Sequence, residues 1–234
     1  MFNVDPHYEA KHIIRDTFEP DHADYLLSAM SQGLHTANPY HNVEHQLHVA
    51  YWAHVCALNE NSLLAKPSNR YLVESDIKAL LLAAMFHDHN HSGGVENDLV
   101  NVQRAIQRVM SRDIALIMEN EGIDKTKVRN LIRVTCFHEG EFRHAPKNLL
   151  EKAIRDADLM MVYTQSGADV STGLMYEQKG APTGWVQRSY EFLSSAKMFT
   201  RFGQIAQAQH LKDACAAWKE QHDQIVAYNA AAGK

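Results

Sequence analysis

The feature that most constrains this 234-residue chain is a short segment that is apolar on almost every helical face and runs directly into charged residues. Residues 77–86 hold leucine, alanine, isoleucine, methionine and phenylalanine with a single lysine, and Asp76 before them is a residue type that caps helices. A helix that is apolar all round has no face suited to water and belongs in the centre of a fold. It is too short to cross a membrane, which takes roughly 20 apolar residues. We therefore predict a central buried helix.

The rest of the chain also has a helical pattern. Glycine and proline are scarce, at 11 and 6 residues, and strand-like alternation is nearly absent, which argues against a loop-rich β-sandwich. Asn38 before Pro39 predicts a helix start, and residues 180–184 form the clearest loop. Further helices are predicted at about 40–58, 97–118, 128–135, 147–163 and, as a pair, 185–230. The predicted fold class is therefore all-α.

Composition limits the partners and the location of the protein. The net charge is −5 and the lysines and arginines are scattered, which argues against an extended nucleic-acid partner. Three cysteines without paired spacing, and no long apolar run at the N-terminus, predict a soluble cytoplasmic protein without a membrane segment. We find no repeat or linker and expect one domain over 1–234, with a motif-bearing core at about 38–163 and helices at 184–230 packed on it. Those C-terminal helices could also form a homodimer surface.

Histidine is abundant, with 15 in the chain, and three of them are spaced to share one helical face. His41, His45 and His48 would lie on one side of a helix that continues in Trp52 and Val55. A single histidine is more often structural. Three on one face favour a polar site at one end of the helix, with metal or acid–base chemistry.

Two carboxylates point to the interior from other segments. His87 and Asp88 end the apolar helix, where an aspartate loses its hydration unless a cation compensates for it. In the helix predicted at 147–163, Asp158 shares a face with apolar residues, whereas Asp156 points about 160° away. Neutral imidazole and carboxylate together suit Mn, Fe, Mg or Zn. One metal centre would compensate the ionisable groups of all three segments, and we predict that they converge on it.

These residues follow the order of a known family of metal enzymes. The order His, then His-Asp, then Asp resembles that of the HD-domain superfamily of metal-dependent phosphohydrolases. Two motifs look like the signatures of its cyclic-nucleotide phosphodiesterase branch: Tyr40-His41-Asn42-x-x-His45 and His87-Asp88-x-x-His91-x-Gly93. Asn97 and the tripeptide Ala157-Asp158-Leu159 are also similar to that branch. The resemblance covers residues 40–163, about half of the chain.

The resemblance implies an HD-type helical bundle and a role for each matching residue. Four side chains would ligate one metal ion: His45, His87, Asp88 and Asp158. Asp88 would also bridge to a second divalent ion, and both ions would be Mn, Mg, Fe or Zn. His41 would be the general acid that protonates the leaving oxygen, and His91 would help to complete the site. The implied partner is a small phosphorylated, nucleotide-like substrate whose phosphoester bond is cleaved by activated water.

Departures from the branch leave the substrate open. His48 stands where the branch has an aspartate, Ser92 stands where it has a proline, and Gly94 is an extra glycine. One alternative is a nucleotidase or deoxynucleoside triphosphohydrolase of the same superfamily, which uses the same ligand set. Another is a regulatory domain that binds nucleotide without turnover, although the intact ligand set argues against it.

Less specific residues could add a further ligand or a substrate wall. His138 is the better candidate to bind a second metal and His144 the poorer one, although a solvated helix end explains both equally well. An HD-domain di-iron oxygenase, which would need such a ligand, is a further alternative. Gln187, Tyr190 and Phe192 could clamp a base, but aromatic residues at this spacing are more often core, and we expect core here.

Overall fold

The computed structural model describes residues 4–63, 72–163, 167–179 and 184–231. Across these residues the chain is all-α, as predicted, apart from one short antiparallel hairpin and two 3-10 turns at Leu34–Ala37 and Met161–Tyr163. In chain order, the helices and strands are α1 (Pro6–Thr17), α2 (Pro20–Met30), α3 (Val43–Ser62), α4 (Glu74–Phe86), α5 (Asp98–Val109), α6 (Arg112–Asn120), α7 (Lys125–Val134), β1 (Phe137–His138), β2 (Glu141–Phe142), α8 (Leu149–Met160), α9 (Gly167–Glu177), α10 (Trp185–Ser195) and α11 (Arg201–Ala231). None of the described helices combines the length and hydropathy needed to cross a bilayer.

The predicted central helix is confirmed as α4. Every side chain from Ala79 to Phe86 is fully buried. The helices α3, α4 and α8 all pack against one another, and α3 also packs against α1. Because these three helices are in mutual contact, residues at their ends can meet. The residues concerned are His45 near the start of α3, His87 just after α4 and Asp158 near the end of α8.

The start of α3 differs from the prediction. The helix begins later, with Asn42 as its N-cap, and the Asn42 side-chain oxygen accepts a hydrogen bond from His45 N at 3.1 Å. Asn38, the predicted cap, instead donates its amide to the carbonyl oxygens of His41 and His91 at 3.1 and 2.9 Å. The prediction failed because Asn38 bonds to the backbone of His91, 53 residues later. A local sequence pattern does not show a contact between such distant segments. His41 therefore precedes the helix and does not share a helical face with His45.

The single helix predicted at 97–118 is two helices, α5 and α6, so that prediction was wrong. Between them Ser111 has an extended backbone, and its hydroxyl donates to Arg108 O at 2.6 Å. The Arg108 guanidinium in turn donates to Asp113 at 2.8 Å. Side-chain bonds of this kind compete with the helical backbone pattern, and here they end α5 without a glycine or a proline.

Three further helix boundaries shift by a few residues. The predicted cap Asp76 lies inside the first turn of α4, where its carboxylate accepts from Val73 N at 3.3 Å. Helix α8 begins after its N-cap Asn148, and the end predicted at residue 163 is a 3-10 turn instead. The two shifts at helix starts arise because the side chains of Asp76 and Asn148 accept hydrogen bonds from the backbone N–H groups of Val73 and Glu151.

The pair of helices predicted between 185 and 230 is confirmed as α10 and α11. Helix α11 packs against α3, α8, α9 and α10. The loop predicted at 180–184 lies outside the described residues except for Gly184, which has a positive φ of 75°. Helices α1, α2 and α9 have no individual counterpart among the predicted elements.

Asp156 and Asp158 point to different neighbours from α8, as helical geometry predicts. Asp156 is fully buried and accepts hydrogen bonds from Phe199 N at 2.9 Å and from Thr200 N and Oγ1, both at 2.7 Å. These two residues immediately precede α11, so the carboxylate lies at the N-terminus of that helix, where negative charge is favourable. A Cβ at Gly203 would lie 2.5 Å from the Asp156 carboxylate. This network anchors α11 to α8.

Replacing Asp156 with alanine should destabilise the fold. Asp156→Ala removes the acceptor of two backbone N–H groups and one hydroxyl, so we expect the free energy of unfolding to fall by about 2–4 kcal/mol. Denaturant titration measures the change. Asp16→Ala, at an exposed position of α1, is the matched control and should change the value by less than about 0.5 kcal/mol. If the two variants lost equal stability, the anchoring role would be contradicted.

Candidate metal centre

The four side chains predicted to ligate a metal meet at the ends of α3, α4 and α8. A hydrogen bond from His87 Nδ1 to Ala84 O at 2.8 Å orients the His87 ring, with Nε2 directed at the carboxylates. The side chains of His45 and His87 are each 1% exposed, whereas those of Asp88 and Asp158 are 11% and 17% exposed. The imidazoles thus form the closed side of the site, and the carboxylates form its open side.

Four atoms of these residues form a closed ring of short contacts. His45 Nε2 lies 3.3 Å from Asp88 Oδ2 and 3.2 Å from Asp158 Oδ1. His87 Nε2 lies 3.1 Å and 3.4 Å from the same two oxygens. Ligands held about 2.1 Å from one metal ion are separated by about 3.0 Å in an octahedron and about 3.4 Å in a tetrahedron. The four separations therefore suit a shared metal ion.

Polar atoms of this cluster also lack other partners. His87 Nε2 and Asp88 Oδ2 are buried, and outside the cluster itself neither atom has a hydrogen-bond partner among the described residues. An unsatisfied buried polar atom costs about 1–3 kcal/mol, so such atoms are normally bonded. Two imidazole nitrogens and two carboxylate oxygens are a donor set that suits zinc, manganese or iron. The residues fit a metal ion and could hold one.

Histidines and carboxylates of the cluster compensate each other's charge. Burial disfavours the ionised form of Asp88, yet the neighbouring charge of His87 holds the pKa of Asp88 well below its usual value. Burial also opposes ionisation of Asp158, and hydrogen bonds with His45 and His87 outweigh it and lower the pKa of Asp158. Burial opposes protonation of His87, but Asp88 and Asp158 raise the pKa of His87 well above its usual value. A bound metal would replace those histidine protons, because histidine ligates in its neutral form.

The two predicted catalytic histidines lie together beside the cluster. The rings of His41 and His91 stack with their centroids 3.7 Å apart, and the centroid of the His41 ring is 6.0 Å from that of His45. His91 Nδ1 accepts a hydrogen bond from Gly93 N at 3.1 Å, which leaves Nε2 to carry the ring proton. Both histidines are therefore close enough to act on a substrate held at the cluster.

Glu177 completes this part of the site, although the sequence does not predict it. Its carboxylate accepts from the backbone N–H groups of Tyr40 and His41 at 2.7 and 2.8 Å, and its Oε2 lies 2.5 Å from His41 Nδ1. Burial opposes ionisation of Glu177, but the hydrogen bond with His41 and the His41 charge lower the pKa of Glu177 below its usual value. Glu177 is thus a buried anion that orients the His41 ring.

Atoms of His41, His91 and Glu177 lie close enough together to raise the question of a second metal site. The 2.5 Å contact between His41 and Glu177 is shorter than the about 3.0 Å expected between neighbouring ligands of one ion. The two imidazole rings are stacked within 22° of parallel, whereas an ion shared by both would have to lie near the plane of each ring. We therefore describe the group as an imidazole–carboxylate dyad with a stacked histidine.

Close backbone packing fixes Glu177 at the end of α9. A Cβ at Gly173 would lie 2.6 Å from Pro39 O, and a Cβ at Gly94 would lie 2.6 Å from Glu177 O. These approaches require glycine, so the extra glycine noted at position 94 has a packing role. The sequence offers only an acidic residue at the end of a mostly apolar segment. Nothing local connects it to His41, 136 positions earlier.

The cluster and the dyad open onto one cavity of about 450 Å³, which we call the site cavity. Its acidic lining residues are Asp88, Glu96, Asp98, Asp158 and Glu177. Its aromatic lining includes Phe137, Phe142, Trp185 and Phe192. Among the described residues, Arg188 is the one lysine or arginine on its wall. The site cavity is therefore acidic beside the cluster of four ligand residues, and much of the remaining wall is aromatic.

No protein-family model matches this chain, and no curated protein matches it significantly. The chemistry of the site therefore has to be inferred from its residues and from the motifs that they form. Three motifs supply the four converging atoms, which belong to His45, to the pair His87-Asp88 and to Asp158.

The less specific histidines are not brought into the cluster. Within the described parts of the chain, His48, His138 and His144 belong to neither group of converging ligand atoms. His48 is buried, and burial lowers its pKa to about 4. His138 Nε2 lies 3.8 Å from Glu139, and the backbone carbonyl of His144 accepts from Arg155.

The segment around residue 190 is not core, so that prediction was wrong. Gln187 is exposed and donates to Glu191 at 2.7 Å, and Tyr190 is 44% exposed. Phe192 lines the site cavity, with its ring edge-on to that of Phe137 at 5.3 Å between centroids. Helical periodicity does not separate a face that lines a cavity from a face that packs into a core, because both are apolar.

Replacing one carboxylate ligand should empty the site. Asp158→Asn removes an anionic ligand, and we expect the bound divalent metal, measured by plasma mass spectrometry after purification with Mn, to fall at least about tenfold. Asp98→Asn is the matched control, because Asp98 lines the same cavity but lies outside the four-atom cluster. It should keep the metal of the wild type. Wild-type metal content in Asp158→Asn would contradict the ligand assignment.

Proposed function

We propose that this protein is a metal-dependent phosphohydrolase of the HD-domain superfamily that cleaves a phosphoester bond of a small nucleotide-like substrate. The observation that carries the proposal is that four potential metal ligands and the His41–Glu177 dyad share one cavity. Hydrolysis of a phosphoester needs an activated water, positive charge next to the phosphate and a proton for the leaving oxygen. The order and spacing of the motifs, which resemble the phosphodiesterase branch, give independent support.

The metal would be held by His45, His87, Asp88 and Asp158, and a second ion would share Asp88. When bound, one or two divalent ions (Mn, Mg, Fe or Zn) would lower the pKa of a coordinated water and neutralise phosphate charge. The chain itself keeps the two carboxylates ionised through the adjacent imidazoles. It also leaves the carboxylate side of the cluster open to the site cavity, where a substrate phosphate can approach.

His41 would supply the proton for the leaving oxygen. Its Nδ1 is bonded to the buried Glu177 carboxylate, which orients the ring and leaves Nε2 available to donate to a substrate. The backbone N–H groups that bind the same carboxylate fix Glu177, and thereby the orientation of the His41 ring. Glu177 acts here as a positioning residue, because its contact is with His41 and not with the substrate.

The charge of the site cavity supports a substrate that carries little negative charge. The described lining residues include five carboxylates and one arginine, so two bound divalent ions together with a His41 that carries the proton for the leaving oxygen would leave an excess of only about one positive charge. A triphosphate, with three or more negative charges, would be poorly compensated there. A phosphodiester carries one negative charge, and the aromatic side chains offer a surface for a planar base. A phosphodiesterase-like activity is therefore the form of the proposal that we favour.

The alternatives have less support from the described residues. A nucleotidase would use the same four ligands, and a deoxynucleoside triphosphohydrolase would also need positive charge beyond that of Arg188. A di-iron oxygenase would need a further firm ligand such as His138, which lies outside the cluster. Iron content combined with oxygen consumption distinguishes the oxygenase from a hydrolase.

Removing the two members of the dyad should affect catalysis in different ways. His41→Ala should lower kcat by about 10²–10⁴-fold while the metal content stays at the wild-type level. Glu177→Gln should lower kcat less, because the amide oxygen can still accept from the backbone N–H groups of Tyr40 and His41 but no longer holds the His41 ring through a charged hydrogen bond. The measurement is kcat with parallel metal analysis.

Glu44→Gln is the matched control for that experiment, since Glu44 is exposed in the first turn of α3 and outside the site cavity. Its kcat should equal that of the wild type. A His41→Ala enzyme that is fully active would contradict the general-acid role. One that has lost its metal would show that His41 is a ligand.

A substrate screen tests the proposed chemistry directly. With Mn, Mg or Fe, we expect cyclic mononucleotides or dinucleotide diesters to be hydrolysed with a kcat/KM at least about tenfold above that of nucleoside triphosphates, because of the charge balance. Phosphate release and chromatography of the products report both activities. A preference for triphosphates would contradict the charge argument, and hydrolysis of no phosphoester at all would contradict the proposed function.

A further inference from the structure

A second cavity lies between α5 and α7 and shares no lining residue with the site cavity. Its volume is about 270 Å³. The end of α5 contributes Gln103, Ile106 and the capping residue Met110, and α7 contributes Thr126 and three cations. The three cations are Lys125, Arg129 and Arg133. No acidic side chain lines this cavity among the described residues.

The three cations form a row on one face of α7. They are spaced four residues apart, so their side chains are neighbours, and like charges at that spacing destabilise a helix. Lys125 also lies at the N-terminus of α7, where the helix dipole disfavours a positive charge. In the described parts of the chain, none of the three side chains forms an ion pair or a hydrogen bond. The row is thus a local excess of positive charge without a compensating group among the described residues.

Cationic side chains near this cavity are paired with carboxylates. Arg104 pairs with Glu96, Arg108 pairs with Asp113 at 2.8 Å, and Lys127 on another face of α7 pairs with Asp76. Acidic residues are also plentiful in a chain whose net charge is −5. The three cations of the cavity thus differ from these neighbours, because no carboxylate is among the described lining residues.

Arg129 gives the most direct sign of a missing partner. Its Nε is buried and has no hydrogen-bond acceptor in the described residues. A buried guanidinium N–H without an acceptor is costly, more so than a neutral group, because the charged donor has lost its water as well. An oxyanion bound in the cavity would accept a hydrogen bond from Arg129 Nε. It would also neutralise positive charge of the three cations.

We propose that this cavity is a second ligand site that binds a small phosphorylated molecule through its phosphate groups. Arg129 and Arg133 supply the planar, two-pronged donors that match phosphate oxygens, and Lys125 adds a third charge. Gln103 and Thr126 can bond the polar part of the ligand. Ile106 and Met110 give the organic part an apolar floor. A site with three cations and a volume near the lower end of small-ligand pockets suits a pyrophosphate-sized anion and not an extended nucleic acid.

Titration calorimetry with inorganic pyrophosphate on the full chain tests the site. EDTA is included so that the metal centre holds no ion. The wild type should bind pyrophosphate at one site, and Arg129→Gln and Arg133→Gln should each weaken binding by about tenfold or more, since each removes a charged donor. Arg133 is exposed, so its substitution should leave thermal unfolding unchanged, which keeps the test valid even if Arg129→Gln is less stable.

Two further variants make the result specific. Lys127→Gln removes one positive charge from the same helix but from the face that binds Asp76, and its affinity should stay within about twofold of the wild type. Asp158→Asn should bind pyrophosphate as the wild type does, because the second cavity does not depend on the metal centre or on the proposed hydrolysis. The proposal is overturned if the wild type does not bind pyrophosphate or if Arg133→Gln binds as tightly as the wild type. It is also overturned if Lys127→Gln weakens binding equally, or if Asp158→Asn abolishes it.

Discussion

The structure depends on two carboxylates that have to stay charged beside a largely apolar interior. Asp88 and Asp158 lie at the ends of helices whose inner faces are buried, so they lose much of their hydration. That loss of hydration costs several kcal/mol for each carboxylate unless an opposite charge compensates for it. His45 and His87 provide part of the compensation, and a divalent ion would provide the remainder. The four side chains coincide where the ends of α3, α4 and α8 meet.

Local patterns identify the segments that carry the four ligands, whereas the choice of His45 over His41 and His48 rests on the resemblance to the HD-domain motifs. The apolar α4 ends at His87 and Asp88, and helical geometry alone separates the inward-facing Asp158 from its neighbour two residues earlier. Contacts between distant segments leave no such trace. Glu177 reaches His41 across more than half of the chain, and the helix breaks and caps at α3 and α5 follow from side-chain hydrogen bonds that periodicity does not contain.

The site cavity and the cavity between α5 and α7 have opposite electrostatic character. The site cavity is lined by carboxylates, so an anionic substrate there depends on bound metal for attraction, and its charge has to be small. The cavity between α5 and α7 is lined by three unpaired cations and can attract an anion without a metal. Asp98 at the start of α5 and Thr135 just after α7 also line the site cavity, so the same two helices form part of both walls.

The central claim is that one metal ion is bound by the cluster at the ends of α3, α4 and α8. A crystal of the protein grown with Mn or Zn, with diffraction data collected above the absorption edge of the metal, measures this directly. The account predicts a strong anomalous peak about 2.0–2.3 Å from His45 Nε2, His87 Nε2, Asp88 Oδ2 and Asp158 Oδ1. A metal-soaked crystal with no peak at that position, or with the two carboxylates turned away from each other into solvent, would contradict it.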